Sequence, residues 1–158
     1  MKTFHLTGPG PLYTNSFVVI SAAGNAAVID PAAEAAEYGE LLAAQQAKLA
    51  LILCTHGHYD HVGAAQELRE TWGAKLLCEP ADVKGNEMFP LQSADGGYAE
   101  GGELALDELR FRVWHTPGHS KGSVCLLCGN LFFTGDTLFH GDTGRTDLPG
   151  GSFSDMVA

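Results

Sequence analysis

Thr55-His56-Gly57-His58-Tyr59-Asp60-His61 sets three imidazoles and a carboxylate within six consecutive positions, directly after the apolar run from Leu49 to Cys54. Only seven histidines occur in 158 residues, so three in one short loop is a concentration that needs a cause. Turn chemistry accounts for Gly57 and Asp60 but not for the histidines. Neutral imidazole together with carboxylate is the ligand set of a divalent transition metal. In extended backbone His56 and His58 point the same way and share one ion. Asp60 and His61 lie beyond that pair, at the mouth of the next helix, and reach towards a second ion; Asp60 is also placed to cap that helix.

Working outward, two more apolar strands end in a candidate ligand. Leu109 to Trp114 leads through Thr116-Pro117-Gly118 to His119, and Leu131 to Phe133 leads through Thr134-Gly135 to Asp136. Ligands delivered by the ends of neighbouring strands converge at one rim of a sheet, on loops that a rigid scaffold positions. His119 has the alternative of a turn histidine, and Asp136 that of an Asx-turn residue. A carboxylate is also the side chain able to bridge two metals with its two oxygens. His140 reads as a loop residue nearby.

The remaining pattern is that of a layered α/β protein. Strands are expected at Lys2 to Thr7, Asn15 to Ser21 and Ala26 to Ile29, the last two joined as a hairpin through Gly24-Asn25. Asp30 as cap and Pro31 at the first helical position predict a helix running to Lys48. The continuous apolar run Leu49 to Cys54 predicts a strand buried on both faces. Val62 to Trp72 predicts a helix ended by Gly73. Lys75 to Cys78 reads as a strand, Glu79 to Asn86 as a helical turn and Phe89 to Gly102 as loop. Strands close the pattern at Glu103 to Leu106, Leu109 to His115, Ser123 to Cys128 and Leu131 to Thr134. The length corresponds to one domain, residues 1–158.

Composition limits the partners. The hydrophobic share is 45% and the net charge −10, with 19 acidic residues against nine Lys and Arg. That sign opposes a nucleic-acid backbone or an anionic membrane surface as partner. It leaves room for a small anionic substrate, which needs only one or two local cations. Met1 to Gly10 carries no apolar segment of the secretory type, and no run approaches membrane-span length, so a cytoplasmic location is expected. Cys54, Cys78, Cys125 and Cys128 all fall in apolar, strand-like runs. Cys125 and Cys128 are three apart in a strand and point to opposite faces, so all four are read as reduced, mostly buried thiols rather than a metal or redox pair.

His56-x-His58-x-Asp60-His61, Thr116-Pro117-Gly118-His119 and Gly135-Asp136-Thr137-Leu138-Phe139 together resemble the metallo-β-lactamase superfamily. The run from Gly144-Arg145-Thr146-Asp147 to Gly151 is similar to its glyoxalase II-like branch. The resemblance implies an αββα sandwich with a metal site on one edge. It implies that His56, His58 and His119 hold one metal, that Asp60 and His61 hold the other, and that Asp136 bridges them. Two divalent ions are implied, zinc first, with iron or manganese suiting the same ligands. Relatives of this kind carry a further His beyond another helix and strand. No such residue follows here, so the sandwich is expected to be C-terminally incomplete, with self-association through the apolar surface left open.

The implied chemistry is hydrolysis of a small-molecule thioester such as an S-acyl glutathione. Two cations lower the pKa of bound water to about 7, and Asp60 and Asp136 serve as the catalytic carboxylates. Tyr59, Lys121 and Arg145 are candidate substrate contacts, with local pairing of Arg145 to Asp142 or Asp147 as its alternative. A second implication comes from related persulfide dioxygenases, which hold a single iron on residues matching His56, His119 and Asp136. A non-catalytic metal-binding fragment is the third.

Overall fold

Alternation along the strands sorts the apolar residues into two cores. In the computed structural model, which describes residues 1–158, five strands form one sheet in the order β1 (Lys2–Thr7), β2 (Asn15–Ile20), β3 (Asn25–Ile29), β4 (Lys48–Leu53), β5 (Lys75–Leu77). Val18, Ile20, Ala26, Val28 and Ile52 face one side of it, with Leu42 of α1 (Ala35–Ala44) and Leu68 of α2 (Ala65–Trp72) in the same core. Their sequence neighbours Val19, Ala27, Ile29 and Leu53 face the other side. There they meet Phe111, Val113, Val124, Leu126 and Phe133 of a second sheet, ordered β6 (Glu103–Leu106), β7 (Leu109–His115), β8 (Val124–Cys128), β9 (Leu131–Phe133). A period of two thus makes one sheet the shared wall of two apolar layers. Each Val, Leu, Ile or Phe among them contributes roughly 1.5–3 kcal/mol when fully buried. A small hairpin of β10 (Leu138–Phe139) and β11 (Asp142–Thr143) and the short α3 (Phe153–Met156) complete the chain.

Strand direction brings the candidate ligands to one edge. β3, β4 and β5 run parallel, so Asp30 after β3 and Thr55 to His61 after β4 leave the first sheet on the same side. In the second sheet β7 and β9 are both antiparallel to β8 and therefore run together, so His119 and Asp136 also leave on one side. The Val124 N–H donates to the Thr55 carbonyl at 2.8 Å and joins the two sheets at that edge.

Several expected boundaries shift. The helix expected from Asp30 begins at Ala35, with Glu34 as its cap and Glu37 in a reciprocal capping box. Asp30 is not a cap: it is buried, with φ +49°, and is engaged elsewhere. The second helix starts at Ala65 and ends as expected on Gly73, whose left-handed φ of 64° suits a residue without Cβ. The turn at Glu79 to Asn86 contracts to a 3-10 turn, Pro80–Asp82. All four cysteines are buried and free.

Candidate metal centre

His56, His58 and His119 present one ligand atom each within 4.8 Å of one another, and all three are buried. His58 Nδ1 stands 2.9 Å from His119 Nε2. His119 Nε2 lies 3.3 Å from one oxygen of Asp136, whose other oxygen is 3.1 Å from His61 Nε2. Asp60 Oδ2 is 3.5 Å from the same His61 nitrogen. The six expected ligands therefore occupy one cluster, with the Asp136 carboxylate spanning the two halves. Donor atoms about 2.0–2.1 Å from a tetrahedral ion stand roughly 3.3–3.4 Å apart, and separations of 2.9–3.5 Å suit that arrangement. Moreover, His56 Nε2 is buried without any hydrogen-bond partner. Orphaned polar atoms in a native interior call for an ion or water, so the donor set fits a metal centre.

Ring tautomers are set from behind. His119 Nδ1–H donates to the Arg145 carbonyl at 2.7 Å, which leaves Nε2 free to face the cluster. His61 Nδ1–H donates to Asp30 Oδ2 at 2.9 Å, leaving its Nε2 towards Asp60 and Asp136. Asp30 also accepts from the Thr55 N–H and hydroxyl, both at 2.6 Å. Its oxygens also fall within 4.8 Å of donor atoms of His56 and His61. Because they are engaged by Thr55 and by the far nitrogen of His61, we assign Asp30 as the orienting partner of a ligand. Thr14 donates its hydroxyl to Asp60 Oδ2 at 2.6 Å and fixes that carboxylate. Asp60 thus caps no helix; α2 starts five residues later.

Glycines permit the close approach. A Cβ on Gly135, already at φ +50°, would collide with Thr55, and one on Gly144 with the Asp136 carbonyl. The first contact holds the Asp136 loop against the first sheet, and the second packs the Gly144 turn onto the Asp136 backbone.

Electrostatics differ across the cluster. Burial, then the neighbouring His61, His119 and His58, hold His56 well below the usual imidazole pKa. Burial and the adjacent His119 bring His58 down to about 4. Burial works the same way on His61, but the Asp30 and Asp136 carboxylates outweigh it and lift His61 to about 10. Burial raises the Asp136 carboxyl, and hydrogen bonding and charge at His61 more than reverse that, so it ends below the usual carboxylate range.

The comparisons with known proteins identify the family. Residues 9–158 match the metallo-beta-lactamase superfamily. The chain belongs to that superfamily. It is 36% identical over 151 residues to the hydroxyacylglutathione hydrolase GloC of Haemophilus influenzae, covering 85% of this chain and 71% of that protein. The crystal structure of ETHE1 from Myxococcus xanthus superposes with a TM-score of 0.86 at 28% identity, covering 99% of this chain and 66% of the other. TTHA1623, crystallised in a di-iron-bound form, gives a TM-score of 0.80 at 32% identity over 98% of this chain and 82% of its own. The chain is thus shorter than these superfamily relatives, and it shares their mixed α/β sandwich.

The candidate substrate residues are spread more widely. Tyr59 is half exposed beside the metal loop, and Lys121 is exposed. The Arg145 guanidinium pairs with Asp147 through two contacts of 2.7 Å, the local alternative to a substrate carboxylate. What the sequence reading missed is Asp30. The signal was present: Val28-Ile29-Asp30 is another apolar strand ending in a carboxylate, and Pro31 drew the reading towards a helix cap instead. No helix of the protein is long and apolar enough to cross a membrane.

Proposed function

We propose that the protein is a binuclear metal-dependent hydrolase of thioesters, with an S-acyl glutathione as the substrate class. The observation that carries this reading is the cluster of imidazoles and carboxylates, part of which opens onto a cavity of about 620 Å³. Asp60, His61 and Asp136 line that cavity together with Leu12, Tyr13, Phe132, Leu138 and Phe139, an apolar lining suited to an acyl group. His56, His58 and His119 would hold one ion and Asp60 and His61 the other, with Asp136 shared. Divalent ions in such a set supply Lewis acidity and bring the pKa of bound water to about 7.

The chain's own groups provide positioning. Thr14 donates to Asp60 Oδ2, the oxygen that faces His61 Nε2, and so holds that carboxylate towards the cluster. Asp30 and the Arg145 carbonyl keep His61 and His119 in register, so the ligands need little reorganisation as charge develops on the carbonyl oxygen. A thiolate departs without protonation near neutral pH, so no separate general acid is required. The similarity to a hydroxyacylglutathione hydrolase supports the choice of thiol carrier.

The test is hydrolysis of S-acyl glutathione by the metal-loaded chain, followed by thiol release, beside an oxygen ester and a β-lactam. Thioester turnover well above the other two supports the reading; turnover of the β-lactam alone overturns it. A second reading, a persulfide dioxygenase with one iron on His56, His119 and Asp136, draws on the 3.3 Å approach of His119 to Asp136 and the likeness to ETHE1. Oxygen consumption with a persulfide, supported by iron and not by zinc, would select it.

A further inference from the structure

Asp82 is completely buried, yet it lies outside the metal cluster and meets no Lys or Arg. All of its side-chain partners belong to the two loops that carry the histidine triad. Asp82 Oδ2 accepts from the Gly57 N–H at 3.1 Å and from the Ser120 hydroxyl at 2.6 Å, and Oδ1 accepts from the Gly122 N–H at 3.1 Å. Gly57 is the residue between His56 and His58, and Ser120 directly follows His119. Ser120 is anchored a second time, its hydroxyl 2.8 Å from that of Ser123.

The backbone repeats the same connection. A Cβ on Gly57 would collide with the Asp82 carbonyl, and one on Gly122 would come within 2.7 Å of Asp82 Cγ. Both loops are therefore pressed onto the Pro80–Asp82 turn, whose geometry is set by the Asp82 N–H bonding the Glu79 carbonyl at 2.9 Å. Burying a carboxylate among neutral donors forfeits its hydration, a cost that packing alone would not require. Placing that negative charge next to a site for cations, and using it to hold both loops, gives it a purpose.

We propose that Asp82 is a positioning residue: a buried carboxylate clamp that fixes the His56–His58 loop against the His119 loop and so sets the geometry and affinity of the three-histidine metal site. It acts on the ligands through Gly57 and Ser120 and touches no substrate. The inference rests on the reading that His56, His58 and His119 hold a metal, and not on the identity of the substrate.

The experiment titrates the metal-free full chain with Zn²⁺ against a competing chelator and records the visible absorption of its Co²⁺ form, for Asp82→Asn and Ser120→Ala. Asp95→Asn is the control, since Asp95 bonds Leu76 and Arg69 and touches neither loop. Asp82→Asn is expected to weaken the first Zn²⁺ by about 10–100-fold, the usual effect of removing an outer partner of a ligand, and to alter the Co²⁺ bands. Ser120→Ala is expected to shift both in the same direction by less. Asp95→Asn should lower the melting temperature and leave affinity and spectrum alone. Unchanged affinity and Co²⁺ spectrum in Asp82→Asn would overturn the proposal, as would an equal loss of affinity in Asp95→Asn. If Asp82→Asn does not fold, Ser120→Ala decides by the same two readouts. A parent chain that binds no Zn²⁺ removes the metal reading itself, and a parent that binds Zn²⁺ but cleaves no thioester removes only the substrate.

Discussion

The two halves of the metal cluster are built on opposite electrostatics. Around His56 and His58, burial and neighbouring imidazoles drive protons off, so the metal-free rings are neutral with lone pairs available. Around His61, Asp30 and Asp136 keep a proton on. The first half favours neutral rings, and in the second the two carboxylates favour the protonated ring. One fold edge thus carries two groups of side chains with opposite proton preference, and Asp136 touches both through His119 and His61.

Breaking the neutral half should have the largest effect. His58→Ala removes a donor from the triad, and metal affinity there should fall by more than the roughly 100-fold typical of outer partners, with thioester turnover lost together with it. Metal content by elemental analysis checks this; a normal content would take His58 out of the ligand set. Asp136→Asn comes next, because the contact is shared: zinc bound per chain should drop towards one, while far-UV circular dichroism stays that of the parent.

Asp30→Asn sharpens the contrast. It weakens the hydrogen bond that fixes His61 and should lower second-site affinity by about 10–100-fold, sparing the first. Equal losses at both sites would show that the halves are not separable. A pH series separates them in another way. His58 has a depressed pKa in the fold, so between its unfolded value and about 4 the unfolded chain binds more protons and the metal-free protein loses stability as pH falls. His61 has a raised pKa, so its stabilisation is complete below the unfolded value and is lost as pH rises through about 10. Thermal melting of the metal-free chain should therefore weaken at both ends of the range.

The smallest effect is expected at Arg145. Its carbonyl, not its side chain, holds His119, and its guanidinium is exposed and paired with Asp147. Arg145→Ala should leave metal content unchanged, and a raised KM with unaltered kcat would mark it as a substrate contact. A loss of metal would mean that the loop depends on the ion pair.

How much was legible follows from the range of the interactions. Strand periodicity and the strand-then-ligand pattern were local, and they located the apolar strands and the cluster residues. The helix expected at Asp30 failed because a tertiary demand, the bonds to Thr55 and His61, overrode a good local capping signal. Asp82 sits among Glu79, Lys84 and Glu87 and looks like surface; its burial depends on two loops 25 and 38 residues away. Arg145 could not be resolved for a similar reason, since the sequence offered Asp142 and Asp147 equally and only the folded loop brings Asp147 into contact.

The measurement that tests the account most directly is calorimetric titration of the metal-free chain with Zn²⁺, with thioester hydrolysis assayed at each point. The expected result is two unequal binding steps, the tighter one lost in His58→Ala, with hydrolysis rising only as the second step fills. A single step, with hydrolysis absent at saturation, would contradict it.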